Sequence, residues 1–317
     1  MDNNNVYKKY SNFLSDKYGT KVYKLPVNIN VSCPNRDGNL DGRGCFFCSE
    51  DGAGHENLSN ELSIKEQLEI NMSYISKKYK AKKFIAYFQN FTNTYLPLEL
   101  FKLHIESCLI PDIVEIAIST RPDCIGEEYL QFLKDFSDKN KINITIELGL
   151  QTANYHTLIN INRGHTLGEF IDAVIRIKKY GFSICTHVIL NLPNDSEIDV
   201  VETAKILSAL KVDFVKIHSL YIAKDSVFGK MYENGEIEII VLEEYVNRVI
   251  TFLEYLSPDI VVQRLIARAP KEKTLFANWD TSWWKIHDEI VSKMKENQTC
   301  QGAKFDYLNG KRCLHES

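Results

Sequence analysis

Short runs of β-branched and aliphatic residues recur along this chain, with longer stretches of helical period between them, and that alternation leaves few folds open. Six candidate strands stand out: Val27 to Val31, Phe84 to Phe88, Val114 to Ser119, Ile142 to Leu148, Ile184 to Leu190 and Phe214 to His218. Strands joined through helices run parallel, and their sheet must be covered by those helices. Two helix starts are marked by capping boxes. Ser63-Ile-Lys-Glu66 precedes an apolar stripe of Ile64, Leu68, Met72 and Ile75, and Thr166-Leu-Gly-Glu169 precedes Phe170, Val174 and Ile177, with Gly181 placed to end the helix. Six strands are too few for a closed eight-stranded barrel. The expected fold is therefore α/β, a partial (βα)6 TIM-like barrel of parallel strands with helical N- and C-terminal extensions. Residues 1–25 read as the N-terminal extension, 26–220 as the barrel, and 221–317 as a C-terminal extension packing on it.

Directly after the first candidate strand come three cysteines, Cys33, Cys45 and Cys48, within sixteen residues. Gly38, Gly42 and Gly44 let the intervening backbone adopt positive φ and wrap closely around a small object. Iron-sulfur cubanes are normally held by four cysteine thiolates, so three leave one iron open to an outside ligand. Phe46 and Phe47 would keep water from the sulfurs. A zinc knuckle is the alternative, with His55 as fourth ligand to Cys33, Cys45 and Cys48. The chain has eight cysteines, but Cys108, Cys124, Cys185, Cys300 and Cys313 are scattered and give no disulfide framework.

At 317 residues, 44% hydrophobic and 25% charged, the chain can bury a full core. The polar N-terminus lacks the apolar core of a signal peptide, and no apolar run is long enough to span a bilayer, so the expectation is a cytoplasmic protein with reduced thiols and no membrane partner. A formal net charge of -4 gives no global attraction to nucleic acid, which leaves local patches. The lysine run Lys77, Lys78, Lys80, Lys82 and Lys83, with Lys8, Lys9, Lys311 and Arg312, is a candidate RNA-contacting surface; a solvated helix end is the plainer reading.

Parallel α/β barrels gather their reactive groups where strands end and loops begin. Polar residues recur at those places: Gln89, Asn90, Thr92 and Asn93; Ser119, Thr120 and Arg121; Gln151 and Thr152; Asn191; and His218.

The cysteine loop, together with Gln89-Asn-Phe-Thr-Asn-Thr-Tyr95, Ser119-Thr-Arg-Pro-Asp123, Glu147-Leu-Gly-Leu-Gln-Thr152, Asn162-Arg-Gly-His165 and His187-Val-Ile-Leu-Asn-Leu-Pro193, resembles the radical S-adenosylmethionine (SAM) superfamily. More narrowly it is similar to the YtqA-like bacterial branch, related to the elongator complex catalytic subunit and to oxygen-independent coproporphyrinogen dehydrogenase. The resemblance runs from about Tyr7 through Tyr245, and the long cysteine spacing favours that branch.

The resemblance implies two cofactors, a 4Fe-4S cluster held by Cys33, Cys45 and Cys48, and SAM chelating the fourth iron. One electron then cleaves SAM and yields a 5'-deoxyadenosyl radical; the hard chemistry is the cofactor's, while the protein supplies placement and exclusion of water. It also implies cofactor contacts: Gln151 to the ribose hydroxyls, Arg163 to the SAM carboxylate, and Phe47 to the adenine. Relatives often place an acidic residue at the third strand end, where this chain has Ser119 and Thr120, so Thr92 becomes the candidate for the SAM amino group. His165 and His187 are further candidates for chemistry, against a role as satisfied barrel-wall histidines. Trp279, Trp283 and Trp284 read either as a stacking lid or as core, and Cys300 and Cys313 near His315 as free thiols.

As partners, the resemblance implies transfer RNA, modified at the wobble-uridine side chain from a 5-carboxymethylaminomethyl to a 5-aminomethyl type, and a reductant such as flavodoxin or ferredoxin. Radical chemistry on a small metabolite or tetrapyrrole stays open, as does a non-catalytic, zinc-stabilised nucleic-acid-binding module.

Overall fold

A computed structural model describes residues 5–40, 42–49, 57–268 and 273–308. The chain enters through helix α1 (Tyr10–Tyr18) and strand β1 (Val22–Val27), then alternates: α2 (Ile64–Tyr79), β2 (Lys83–Phe88), α3 (Leu98–Glu106), β3 (Ile113–Thr120), α4 (Glu127–Asn140) and β4 (Asn143–Gln151). It continues through α5 (Tyr155–Asn160), α6 (Leu167–Lys179), β5 (Ser183–Ile189), α7 (Glu197–Ala209) and β6 (Phe214–His218). The C-terminal part adds β7 (Ile222–Ala223), α8 (Val227–Glu233), α9 (Leu242–Tyr255), β8 (Val261–Arg264), β9 (Thr274–Phe276) and α10 (Trp283–Glu296).

Seven strands form one parallel sheet in the order β1-β2-β3-β4-β5-β6-β8, a curled half-barrel of the expected α/β class. Both capping boxes form, at Ser63–Glu66 and Thr166–Glu169, and α6 gives way to Gly181 at φ 75°. The outward face of the sheet and the inner stripes of the helices merge into one large core that includes Leu68, Phe101, Leu133, Phe170 and Phe252, all almost wholly buried.

Two expectations are corrected. The first strand is Val22–Val27 rather than Val27 to Val31. The side chain of Gln67 on α2 takes both backbone groups of Asn28, accepting from its N–H at 2.8 Å and donating to its carbonyl at 2.8 Å, so sheet pairing stops there although Ile29 and Val31 keep the alternation going. The sheet also has a seventh strand, β8, drawn from the segment read as an extension, and it pairs with β6 from Phe214↔Val261 onward. The half-barrel thus crosses both sequence boundaries, since β1 begins inside residues 1–25 and β8 lies inside 221–317. Lys9 forms a parallel bridge with Val262, and α1 packs Tyr10 and Leu14 against the inward residues Ile85, Tyr87, Cys185 and Phe214, closing the end of the barrel where the strands begin.

No described helix is long and apolar enough to cross a membrane.

Candidate active site

The cysteine loop leaves the C-terminal end of β1 and folds on itself. Cys33 O accepts from Arg36 N (2.8 Å) and Asp37 N (3.2 Å), Asn35 O accepts from Gly44 N (2.7 Å), and Cys48 N donates to Cys45 O (2.9 Å). Gly38, Gly42 and Gly44 all take positive φ, as the loop composition predicts. A side chain at Gly44 would in addition press on Arg36 Cγ, 3.3 Å from an ideal Cβ. The loop is tied to the segment after α5 by exchanged amides. Asn35 Nδ2 donates to Asn162 O (2.6 Å), Asn162 Nδ2 donates to Gly44 O (2.8 Å), and Phe46 N donates to Ile161 O (3.0 Å).

The three thiols lie together at the C-terminal edge of the half-barrel, Cys33 and Cys45 buried and Cys48 half-buried, and every cysteine among the described residues is unbridged. The hydrogen bond from Cys48, and then Arg163 and Arg121, hold the Cys45 thiol well below its ordinary range against the opposing effect of burial. Cys48 is pushed well up instead, first by its hydrogen bond to Cys45 and then by burial, against the opposing effect of Arg163. One thiolate is stabilised before any metal is considered. Asn35 Nδ2 and Arg163 Nη1 each lie 3.5 Å from Cys45 Sγ.

Arg163 is 6% exposed; its Nη2 donates to Gly149 O at 2.8 Å, and its Nε is buried without a hydrogen-bond partner among the described residues. Beneath it, Arg121, 2% exposed, grips Asp123 through two hydrogen bonds (Nε to Oδ1 2.9 Å, Nη2 to Oδ2 2.7 Å) and donates Nη1 to Arg163 O at 2.8 Å. Gly149 sits at a bulge in β4, where an ideal Cβ would lie 2.7 Å from Arg163 Nη2 and 3.0 Å from Gln151 Nε2. Gln151 ends the strand at φ 79°, a conformation that non-glycine residues adopt at a cost and that clusters at functional sites. Three clustered thiols, a glycine cradle and an orphaned guanidinium donor fit an iron-sulfur cluster with a carboxylate-bearing ligand beside it.

Thr92, buried, donates its N–H to Ser32 O (3.3 Å), which brings the loop after β2 to the residue before Cys33. Ser119 donates Oγ to Tyr87 OH (3.1 Å) and faces the barrel interior. Phe46 and Phe47 pack on an apolar cluster of Ile161, Ile189, Leu192, Leu220 and Phe228. His165 is a wall residue whose ring nitrogens lie near the carbonyls of Gly149 (2.8 Å) and Thr166 (3.2 Å); burial followed by Arg163 and Arg121 lowers it to about 3, so the neutral ring donates its one N–H to one of the two.

The lysine run is not brought to this site. Lys77, Lys78 and Lys80 end α2, and Lys83 opens β2 at the beginning of the strands. A strand's length, roughly 20 Å, separates that end from the cysteines. Lys82 lies between them, and the Lys78 and Lys83 amines bond Tyr74 OH and Tyr18 O. Trp279 packs on Tyr245 and Phe276 (4.9 and 5.4 Å between centroids), while Trp283 and Trp284 are exposed at the start of α10, so the three form no common cluster. His55, Lys311, Arg312, Cys313 and His315 lie outside the described residues.

Below the cysteines, the inward side chains are charged. Glu147, fully buried, accepts from Lys24, from Lys216 at 3.2 Å and from His187 Nε2 at 2.7 Å, and Lys216 also donates to Tyr87 OH at 2.8 Å. Burial alone would raise the Glu147 carboxyl, but Lys216, Lys24 and the His187 hydrogen bond hold it well below the carboxylate range. Burial lowers His187 to about 4. Donor atoms of Glu147, Cys185 and His187 lie within 4.8 Å of one another, but two ammonium groups already occupy the carboxylate, which disfavours a cation there. Single residues such as Lys24 and Lys216 carry no signal in the sequence, because an inward lysine in an alternating strand looks like a solvent-facing one. Arg121, by contrast, was visible inside Ser119-Thr-Arg-Pro-Asp123.

Comparison with known proteins agrees with this geometry. A family model described as the radical SAM superfamily matches residues 28–207, and one described as the radical SAM C-terminal domain matches residues 212–296. The uncharacterized protein YtqA of Bacillus subtilis is 32% identical over 314 residues, covering 98% of this chain and 97% of its own. The tRNA uridine(34) acetyltransferase of Methanocaldococcus jannaschii is 29% identical over 159 residues, which cover 49% of this chain and 28% of that protein. The solved structure of Elp3 from Methanocaldococcus infernus aligns with a TM-score of 0.67 over 88% of this chain and 64% of that one, at 16% identity, a likeness of fold.

Proposed function

The chain belongs to the radical SAM superfamily, whose cofactors are a 4Fe-4S cluster and SAM, and on that premise we propose that it modifies the wobble-uridine side chain of transfer RNA, from a 5-carboxymethylaminomethyl to a 5-aminomethyl type. The observation that carries the radical chemistry is the meeting of Cys33, Cys45 and Cys48 with the Arg163 guanidinium over Gly149. The RNA substrate is supported by the partial likeness to an acetyltransferase of tRNA uridine(34), of which this chain spans 28%.

When bound, the cluster and SAM supply a 5'-deoxyadenosyl radical able to take a hydrogen atom from an unactivated carbon. The residues of this chain hold and orient. Cys33, Cys45 and Cys48 are the proposed cluster ligands, with Asn35 Nδ2 and Arg163 Nη1 directed at Cys45 Sγ. Arg163 is the proposed partner of the SAM carboxylate, Thr92 of its amino group, Gln151 of the ribose and Phe47 of the adenine, with Ser119 a further proposed cofactor contact. Arg121 is a positioning residue, since its bond to Arg163 O fixes the backbone that carries the guanidinium. Phe46 and Phe47, seated on the Ile161–Phe228 cluster, exclude water from the sulfurs. The electron comes from a donor of the flavodoxin or ferredoxin class.

The test uses transfer RNA from cells lacking the gene for this chain, treated with reconstituted protein, SAM and dithionite, then digested and analysed by mass spectrometry. Conversion of the carboxymethylaminomethyl nucleoside to the aminomethyl one is expected. Cleavage of SAM with every nucleoside unchanged would move the substrate to another class.

A further inference from the structure

Four cationic side chains occupy the lower half-barrel, and one of them has no counter-charge. Lys24 and Lys216 are both bound to Glu147, and Lys17 lies 3.5 Å from Glu115. Arg264, the last residue of β8, makes no ion pair among the described residues. Its Nη2 lies 2.8 and 3.1 Å from the two ring nitrogens of His218, and its Nε is buried with no hydrogen-bond partner among the described residues. His218 cannot neutralise it, since an imidazole is neutral or cationic, and burial and Arg264 itself push it well below its ordinary range, which keeps it neutral. Beside it, Gln263 accepts from Lys24 through Oε1 at 3.1 Å, while its Nε2 is also buried without a partner among the described residues.

Two orphaned donors on adjacent residues, one of them on an uncompensated guanidinium, are expensive to keep in a protein interior unless something supplies acceptors. Glu147 cannot, since it already receives Lys24, Lys216 and His187. His187, His218, Gln263 and Arg264 are each half-buried, so the half-barrel interior around them keeps contact with solvent rather than being sealed. Its floor is closed by Tyr10 stacked edge-on against Phe214 at 5.3 Å. Its roof is the cysteine site, because Gly149, which anchors Arg163, lies two residues beyond Glu147 on β4.

We infer that Arg264, with Gln263 and His218, forms a receptor for a carboxylate of the substrate, held below the cysteine site. A guanidinium edge beside an amide N–H matches the two parallel acceptors of a planar carboxylate. The anchor holds the end of the substrate while the carbon to be attacked faces the cysteines. This assignment rests on the proposed action on a side chain ending in a carboxylate, and it also makes a prediction that needs no RNA.

Full-length protein is titrated with N-benzylglycine, a ring-borne carboxymethylamino group, with N-methylbenzylamine, the same frame without the carboxylate, and with inorganic phosphate, all at one ionic strength and followed by calorimetry. N-benzylglycine is expected to bind at least about tenfold more tightly than the amine or phosphate. That preference should vanish in Arg264→Gln and weaken in Gln263→Leu, whose folding is checked by circular dichroism. Equal binding of all three probes, a preference for phosphate, or a preference that survives in both folded variants overturns the receptor. Carboxylate selectivity lost in Arg264→Gln, together with no reaction on transfer RNA, keeps the receptor and removes only the nucleoside substrate.

Discussion

Arg163 Nη2 donates to the Gly149 carbonyl at 2.8 Å while Nη1 of the same guanidinium lies 3.5 Å from Cys45 Sγ, so the bulge of β4 and the cysteine loop are joined through one side chain. A Cβ at position 149 would stand 2.7 Å from Nη2 and displace it. Gly149→Ala should therefore retain the iron and sulfide content of reconstituted wild type but bind SAM at least about tenfold more weakly, a charge-assisted contact being lost. Equilibrium dialysis with labelled SAM checks this, and unchanged affinity would detach Arg163 from the cofactor.

Asp123 neutralises Arg121, whose side chain is 2% exposed. Asp123→Asn leaves a buried guanidinium without its carboxylate. The expected loss in unfolding free energy is about 3 kcal/mol, the low end for a broken buried pair because Asp123 keeps some exposure. Urea titration measures it, and a loss comparable to a surface pair, below about 1 kcal/mol, would mean that water reaches Arg121.

Burial lowers the Lys216 amine from 10.5 to about 8, against the opposing pull of Glu147; Arg264 and Lys24 push it the same way as burial. Between those values the unfolded chain binds more protons than the folded one, so this group makes stability rise with pH through that window. The stability of wild type relative to Lys216→Met should grow by up to about 1.4 kcal/mol per pH unit there. Urea unfolding at both ends of the window tests the sign, which a flat or falling difference would contradict.

Thr166 caps α6 immediately after His165, its hydroxyl accepting from Glu169 N at 3.2 Å. Thr166→Ala should cost about 1 kcal/mol of stability and leave iron content and SAM cleavage unchanged. A loss of cleavage in a folded variant would show that this helix start positions the site.

What could be read from the sequence was local. The capping boxes, the glycine-bearing cysteine loop and five of the strand positions depend on residues close in the chain, and they form where expected. β1 ends earlier than its apolar alternation indicates because Gln67, some forty residues away, captures Asn28 and stops the strand. β8 is not legible because a four-residue run ending in Gln263 and Arg264 has no apolar alternation to announce it. The same is true of Lys24 and Lys216, whose direction into the barrel is set by sheet register alone. The lysines at 77–83 were legible as charge, but only the antiparallel run of α2 against the strands places them at the opposite end from the cysteines.

Radical chemistry at the three cysteines is tested most directly by its by-product. Protein purified without oxygen is reconstituted with iron and sulfide, reduced with dithionite and given SAM, and 5'-deoxyadenosine is quantified for wild type and Cys45→Ala. Product in the wild type and none in the variant is the predicted result. No product from protein with a verified cluster, or a chain that takes up one zinc ion and no sulfide, would contradict it.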